Sequence, residues 1–321
     1  MKITGKQNKL WSRLGSRAVY GQAILMAAEH YDKLMVLSAD LGNSSGLNRF
    51  KTTYPDKFIN TGIAEQNMIG IAAGLAKEGH VVFASSFAPF ISMRASEQVR
   101  MNMGYMNLNI KAVAIGSGVA MNFLGNSHFG LEDAAIMRSI PNITVVSPAD
   151  PAEIVKTIFA AVEYPKPMYI RLTGSVGFPA IYEDDYDFTI GKAVRILDGE
   201  DISIVATGSM VYEAVKAAEI LKTKGVRASV LNMHTIKPLD LRALNALRIK
   251  GKPVFTIEEH SITGGLGSAV AEYLSSYNDS PKVIRLGLPD EFIITADYEY
   301  ILEKYNLKSN LIANQIEIHL K

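Results

Sequence analysis

The chain has 321 residues, 48% hydrophobic and 20% charged, a length and balance suited to two soluble globular domains. Its 33 basic and 32 acidic side chains leave a net charge of +1, so no basic excess argues for nucleic acid, and the lack of cysteine excludes disulfides, thiolate metal sites and cysteine nucleophiles. The opening MKITGKQNKLWSRLGSRAVYGQ is too polar for a signal peptide and no apolar run nears the ~20 residues of a membrane span, so a cytoplasmic protein without membrane contact is expected.

From the N-terminus, short apolar runs alternate with longer stretches of helical period. Strands are expected over 34–38, 58–60, 81–84, 112–115, 143–147 and 168–172, and helices over 16–31, 65–77, 92–103 and 151–162. Runs that are apolar at every position suit strands covered on both faces, which points to a parallel sheet wrapped by helices on both sides. Residues 181–189, IYEDDYDFT, are acidic, aromatic and aperiodic, and read as a linker. A second α/β series follows over 202–206, 211–224, 228–231, 239–249, 254–257, 267–275 and 283–286. The expected fold class is α/β, two doubly wound domains over 1–188 and 189–321.

Several segments carry residues suited to chemistry. Residues 61–74 read TGIAEQNMIGIAAG and open a helix. Ile63, Ile69, Ile71 and Leu75 are expected to supply its apolar contacts, and Gly70 and Gly74 to admit a close neighbour. Glu65 falls in the first turn, where the helix dipole favours a negative charge; on pattern alone it reads first as an ordinary first-turn glutamate on a buried helix. Phe87 and Phe90 follow a strand, three residues apart. They either pack in the core or sandwich a flat heteroaromatic ring. Arg94, Glu97 and Arg100 share a helical spacing suited to a solvated or interface face.

Further on, GSG at 116–118 precedes a Gly/Asn/Ser loop carrying Gly125 and His128 ahead of a helix over 131–139. A loop at a strand's carboxyl end is where open α/β sheets bind ligands. Ser44 and Ser45, in SADLGNSSGL, either bind an anion or form a turn. Arg171, at the end of a strand, is suited to a phosphate or sulfonate fork, or is a surface arginine. GGLG at 264–267 starts a helix after EEHSIT and is expected to be structural.

Taken together, SADLGNSSGL, TGIAEQNMIGIAAGLAKEG, SSFAPFISMRASEQVR, SHFGLEDAAIMRSIPNITVVSPAD, HTIKPLD and EEHSITGGLG resemble, in order, the C-terminal half of transketolase. The resemblance runs over about residues 10–320 and implies a pyrimidine-binding domain followed by the family's C-terminal domain. It implies thiamine diphosphate as cofactor, with Glu65 hydrogen-bonding a pyrimidine nitrogen and Phe87 and Phe90 forming the wall beside the ring. Asp40, Ile63 and Met93 fall at further cofactor positions, Met93 where related enzymes place a third aromatic. Ser44, His128 and Arg171 match groups that hold the sugar and its phosphate, and Glu65 and His128 are the residues assigned to catalysis.

The departures are as informative. The family's GDG motif, which with a later asparagine holds Mg²⁺ and the diphosphate, is absent, so no metal ligand is expected on this chain. That implies one subunit of a split enzyme, with an N-terminal partner carrying the diphosphate-binding domain and two copies of each chain. Gly116 and Leu124 replace a histidine and an acidic residue that contact sugar hydroxyls, which suggests a deoxy, branched or sulfonated sugar as substrate. The leading expectation is a two-carbon ketol transferase. The alternatives are a 2-oxo acid dehydrogenase β-subunit, a deoxyxylulose phosphate synthase-like enzyme and a non-catalytic partner subunit.

Overall fold

The computed structural model describes residues 2–174 and 177–321. In chain order the first half contains α1 (Gly5–Trp11), α2 (Ser16–Ala28), β1 (Leu34–Ser38), α3 (Asn48–Thr53), β2 (Phe58–Asn60), α4 (Glu65–Lys77) and β3 (Val81–Phe87). An irregular helical stretch follows, with wide π-type turns at Phe90–Arg94 and Val99–Tyr105 around the single turn α5 (Ser96–Gln98). Then come β4 (Ile110–Ile115), α6 (Asp133–Ser139), β5 (Thr144–Val146), α7 (Pro151–Glu163) and β6 (Met168–Arg171).

The second half holds β7 (Val194–Leu197), β8 (Ile202–Ala206), α8 (Met210–Thr223), β9 (Ala228–Asn232), β10 (Thr235–Lys237) and α9 (Leu241–Lys250). It closes with β11 (Val254–Ser261), α10 (Leu266–Leu274), β12 (Val283–Leu288), α11 (Tyr298–Lys304) and α12 (Ser309–Leu320).

The first sheet has the order β10-β5-β6-β4-β3-β1-β2, the second β12-β11-β8-β9-β7. Both are parallel except for one edge strand each: β10 runs antiparallel to β5 and β7 antiparallel to β9. The wholly parallel sheets expected from the apolar runs are corrected at these edges. β10 leaves the second half of the chain to complete the sheet of the first.

Alternation along the central strands explains the layering. Val36, Phe83, Val113 and Ile115 join the core cluster under α2 and α7, while Leu37, Val82, Ala84, Ala112 and Ala114 join the one under α4 and the irregular helix. Successive side chains point to opposite faces, so strands apolar at every position need helices on both. The α2–α7 cluster continues into β8, α8 and α12, so the two halves share one apolar core.

Residues 181–189 carry no regular structure, yet they are tied down. The Ile181 and Tyr182 amides donate to Asp150, and the Tyr182 and Tyr186 hydroxyls donate to Glu153 at 3.0 and 2.8 Å. Asn232 of β9 donates to the same buried carboxylate, binding the linker to both halves.

Candidate active site

The carboxyl ends of β1, β3 and β4 converge on one face, and the motif residues gather there. Glu65 opens α4 and is 1% exposed. Its carboxylate accepts from the buried Ser86 hydroxyl of β3 at 3.0 Å and from Arg94 Nη1 at 2.8 Å. Phe87 and Phe90 stand 5.8 Å apart at 75°, and the His128 ring closes the corner at 5.3 and 5.2 Å. Near-perpendicular rings form an L-shaped wall, so the two phenylalanines cannot sandwich a flat ring between them.

The regular helix expected over 92–103 is replaced by the π-type turns. Such turns are frequent at functional sites. Here one of them brings the Arg94 guanidinium to 4.0 Å over the Phe90 ring and onto Glu65. Burial, and then the charge of Arg94, lowers the pKa of His128, which favours the neutral imidazole. Its Nδ1 pairs with Ser127 Oγ at 2.9 Å.

Beside this corner lies a cavity of about 290 Å³. Arg17, Asn43, Ser44, Gly116, Ala120 and Met121 contribute to its lining. Arg17 donates to the Ser44 carbonyl at 3.4 Å. A fixed close approach sets that placement: a Cβ on Gly21 would stand 2.0 Å from the Gly46 carbonyl oxygen, so α2 touches the serine loop backbone to backbone. Gly116, at φ +67°, links cavity and aromatic wall, because its Cβ would reach Met121 at 2.4 Å and Phe87 at 3.8 Å. Phe123 and Leu124 are 66% and 48% exposed and make the adjoining loop apolar.

Asp40 adopts φ +59° at the end of β1, a conformation Asp tolerates better than most residues. It exchanges two hydrogen bonds of 3.0 Å with Asn60, whose Oδ1 also accepts from the Gly62 amide. The pair fixes the loop that delivers Glu65. Ile63, at 76% exposure, supplies no core contact, and Met93 is 42% exposed. A side chain on Gly70 or Gly74 would meet nothing within 4 Å, so the close neighbour expected for those glycines is not found among the described residues.

Arg171 is the clearest correction. Its guanidinium is buried, donating through Nε to Asp133 at 2.9 and 3.0 Å and through Nη2 to the Gly130 and Glu259 carbonyls at 3.0 and 2.7 Å. It ties β6 to the histidine loop and to β11, and it does not face the cavity. The cation that does is Arg17, which the motif reading missed. Its signal was SR at the start of α2, directly after Gly15.

The second domain also reaches the loop. Glu259 of β11 accepts from the Val119 amide at 2.8 Å, from Tyr298 at 2.8 Å and from Ser209, and its pKa is raised by burial. Asn126 exchanges two hydrogen bonds with the Ile293 backbone. At GGLG the helix N-terminus is filled from within: Glu258 accepts the Leu266 and Gly267 amides at 2.6 and 2.8 Å, and burial pushes its pKa up to about 7.

Residues 13–176 match the family described as transketolase, pyrimidine binding domain, and residues 191–312 match transketolase, C-terminal domain. A putative transketolase C-terminal section of Methanocaldococcus jannaschii is 42% identical over 96% of both chains. A subunit of a 6-deoxy-6-sulfo-D-fructose transketolase from a Clostridium species is 39% identical over 92% of this chain and 91% of its own. A solved split gene transketolase, described as an inactive β4 tetramer, superimposes with a TM-score of 0.84 at 38% identity, covering 94% of this chain and 96% of that one. With the family's two domains in order on one polypeptide, the chain belongs to the transketolase family.

Proposed function

We propose that this chain supplies the pyrimidine half of the site of a split, thiamine diphosphate-dependent transketolase. The observation that carries the reading is the buried Glu65 carboxylate at the foot of the Phe87, Phe90 and His128 corner, opening beside the Arg17 and Ser44 cavity. A buried acid next to an aromatic face fits an aminopyrimidine, which offers a ring nitrogen and a flat surface. When bound, the cofactor supplies the nucleophilic carbon that takes up a two-carbon ketol unit.

The protein's share is placement. Glu65 hydrogen-bonds the ring nitrogen, Phe90 offers its face, and Phe87 and His128 close the corner against water. Neutral His128 presents a ring nitrogen to the sugar. Arg17 and Ser44 replace Arg171 as the groups for a terminal phosphate or sulfonate, because Arg171 has no free approach. Asp40, Ile63 and Met93 border the cofactor.

The diphosphate and Mg²⁺ ligands belong, on this reading, to an N-terminal partner subunit, and the working assembly is α2β2 in the cytoplasm. Among the described residues no helix is long and apolar enough to cross a membrane. The apolar Leu124 and side-chain-free Gly116 support a sugar with fewer hydroxyl contacts than an ordinary pentose phosphate. The relative that acts on a deoxy, sulfonated fructose points the same way. Glu65→Ala tests the central residue: turnover by the assembled enzyme should vanish while the chain still folds, and near-normal turnover would sink the assignment.

A further inference from the structure

Both oxygens of the Glu65 carboxylate are already engaged. Oε1 accepts from Ser86 and Oε2 from Arg94, at 3.0 and 2.8 Å. The two donors differ in freedom. Ser86 is fully buried on β3, whereas the Arg94 side chain is 45% exposed. The central carbon of the same guanidinium sits over Phe90, 4.0 Å from the ring centroid. Arg94 therefore combines a donor on Glu65 with a planar group on Phe90. Those are the two contacts that the reading above gives to the aminopyrimidine.

We propose that Arg94 is a positioning residue that stands in the cofactor ring's place, holding Glu65 as a carboxylate and covering Phe90 until the cofactor displaces it. The inference rests on Glu65 being the cofactor's partner. An ion pair needs Glu65 ionised; donation to a ring nitrogen needs it protonated. The two states exclude one another at one oxygen. Loading the site thus breaks the Arg94–Glu65 pair and moves one proton from solvent to Glu65, balanced by release of the guanidinium into water. The backbone need not follow, because the Arg94 carbonyl is held by Gln66 Nε2 at 3.1 Å, on the first turn of α4. Only the side chain swings out. The arrangement keeps the buried carboxylate partnered while the site is empty, since an unpaired buried charge is costly.

The test is calorimetric titration of thiamine diphosphate with Mg²⁺ into the two-chain enzyme, in two buffers of different ionisation heat. Wild type should take up close to one proton per site. Arg94→Ala, with its fold checked by circular dichroism, should bind the cofactor about tenfold or more tightly, the gain expected from no longer breaking a charged hydrogen bond, and should take up less than the wild-type proton. Unchanged or weaker binding by Arg94→Ala, or no proton uptake by wild type, overturns the proposal. Glu65→Ala separates the two ideas. If it leaves cofactor affinity and proton uptake untouched, the assignment of Glu65 fails and the displacement falls with it. If it abolishes both while Arg94→Ala does nothing, only the displacement fails.

Discussion

Replacing Arg171 with Met distinguishes a buried strut from an anion-binding residue. The guanidinium makes two contacts to Asp133 and two to backbone carbonyls, and both ionic partners are buried. Truncating one side leaves Asp133 charged and enclosed, with the Tyr169 hydroxyl at 2.9 Å as remaining donor. In the wild type, burial and then Arg171 lower the pKa of the neighbouring His260 to about 4; in the variant, burial still opposes its taking over as the cation. Breaking a buried ion pair from one side costs about 3–5 kcal/mol. Urea denaturation of the isolated chain should show that loss as a lower midpoint with unchanged slope. The double variant Arg171→Met with Asp133→Leu should recover a good part of it, because the stranded charge is gone. A single variant as stable as wild type, with a raised KM for anionic ketoses, would refute the structural role and restore the anion-binding one.

Arg17→Met is expected to do the opposite. It should leave stability within about 0.5 kcal/mol, as surface substitutions usually do, and lower kcat/KM for phosphorylated or sulfonated donors by about ten- to a hundredfold through lost charged hydrogen bonds. Equal losses for neutral donors would exclude it as the anion site. Lys111 sets a pH dependence: its ammonium donates to the Tyr164 and Lys166 carbonyls at 2.6 Å each, and burial lowers its pKa from 10.5 to about 7. Between those values the unfolded chain holds the proton that the folded chain has released, so this group makes stability rise with pH from about 7 to 10.5. Thermal midpoints across that range should climb in wild type and flatten in Lys111→Met; a slope the variant leaves unchanged would remove Lys111 as its source.

The site was partly legible in the sequence. Glu65, Phe87, Phe90 and His128 sit in long ordered blocks, and the structure brings all four to one corner. What pattern could not give was direction. Arg171 ends its strand, and sequence does not say whether such a side chain turns outward to a ligand or inward to Asp133, 38 residues earlier. Arg17 looked like an ordinary first-turn residue, because the contact that lends it meaning comes from a loop 27 residues on. Glu97 and Arg100 stay exposed as their spacing suggested, while the π-type turn rotates Arg94 away from them onto Glu65. β10 escaped notice because three residues are too few to show a period, and its partner strand belongs to the other sheet's half of the chain.

The central claim is that this chain is half of a catalytic unit. Its most direct test measures two-carbon transfer from a ketose phosphate or sulfonate to an aldose acceptor, with thiamine diphosphate and Mg²⁺ present. The chain is assayed alone, then with a co-expressed partner carrying the GDG motif. The account predicts no transfer by either chain alone and turnover on mixing. Transfer by this chain alone, or silence of the assembled pair with every anionic ketose tried, would contradict it.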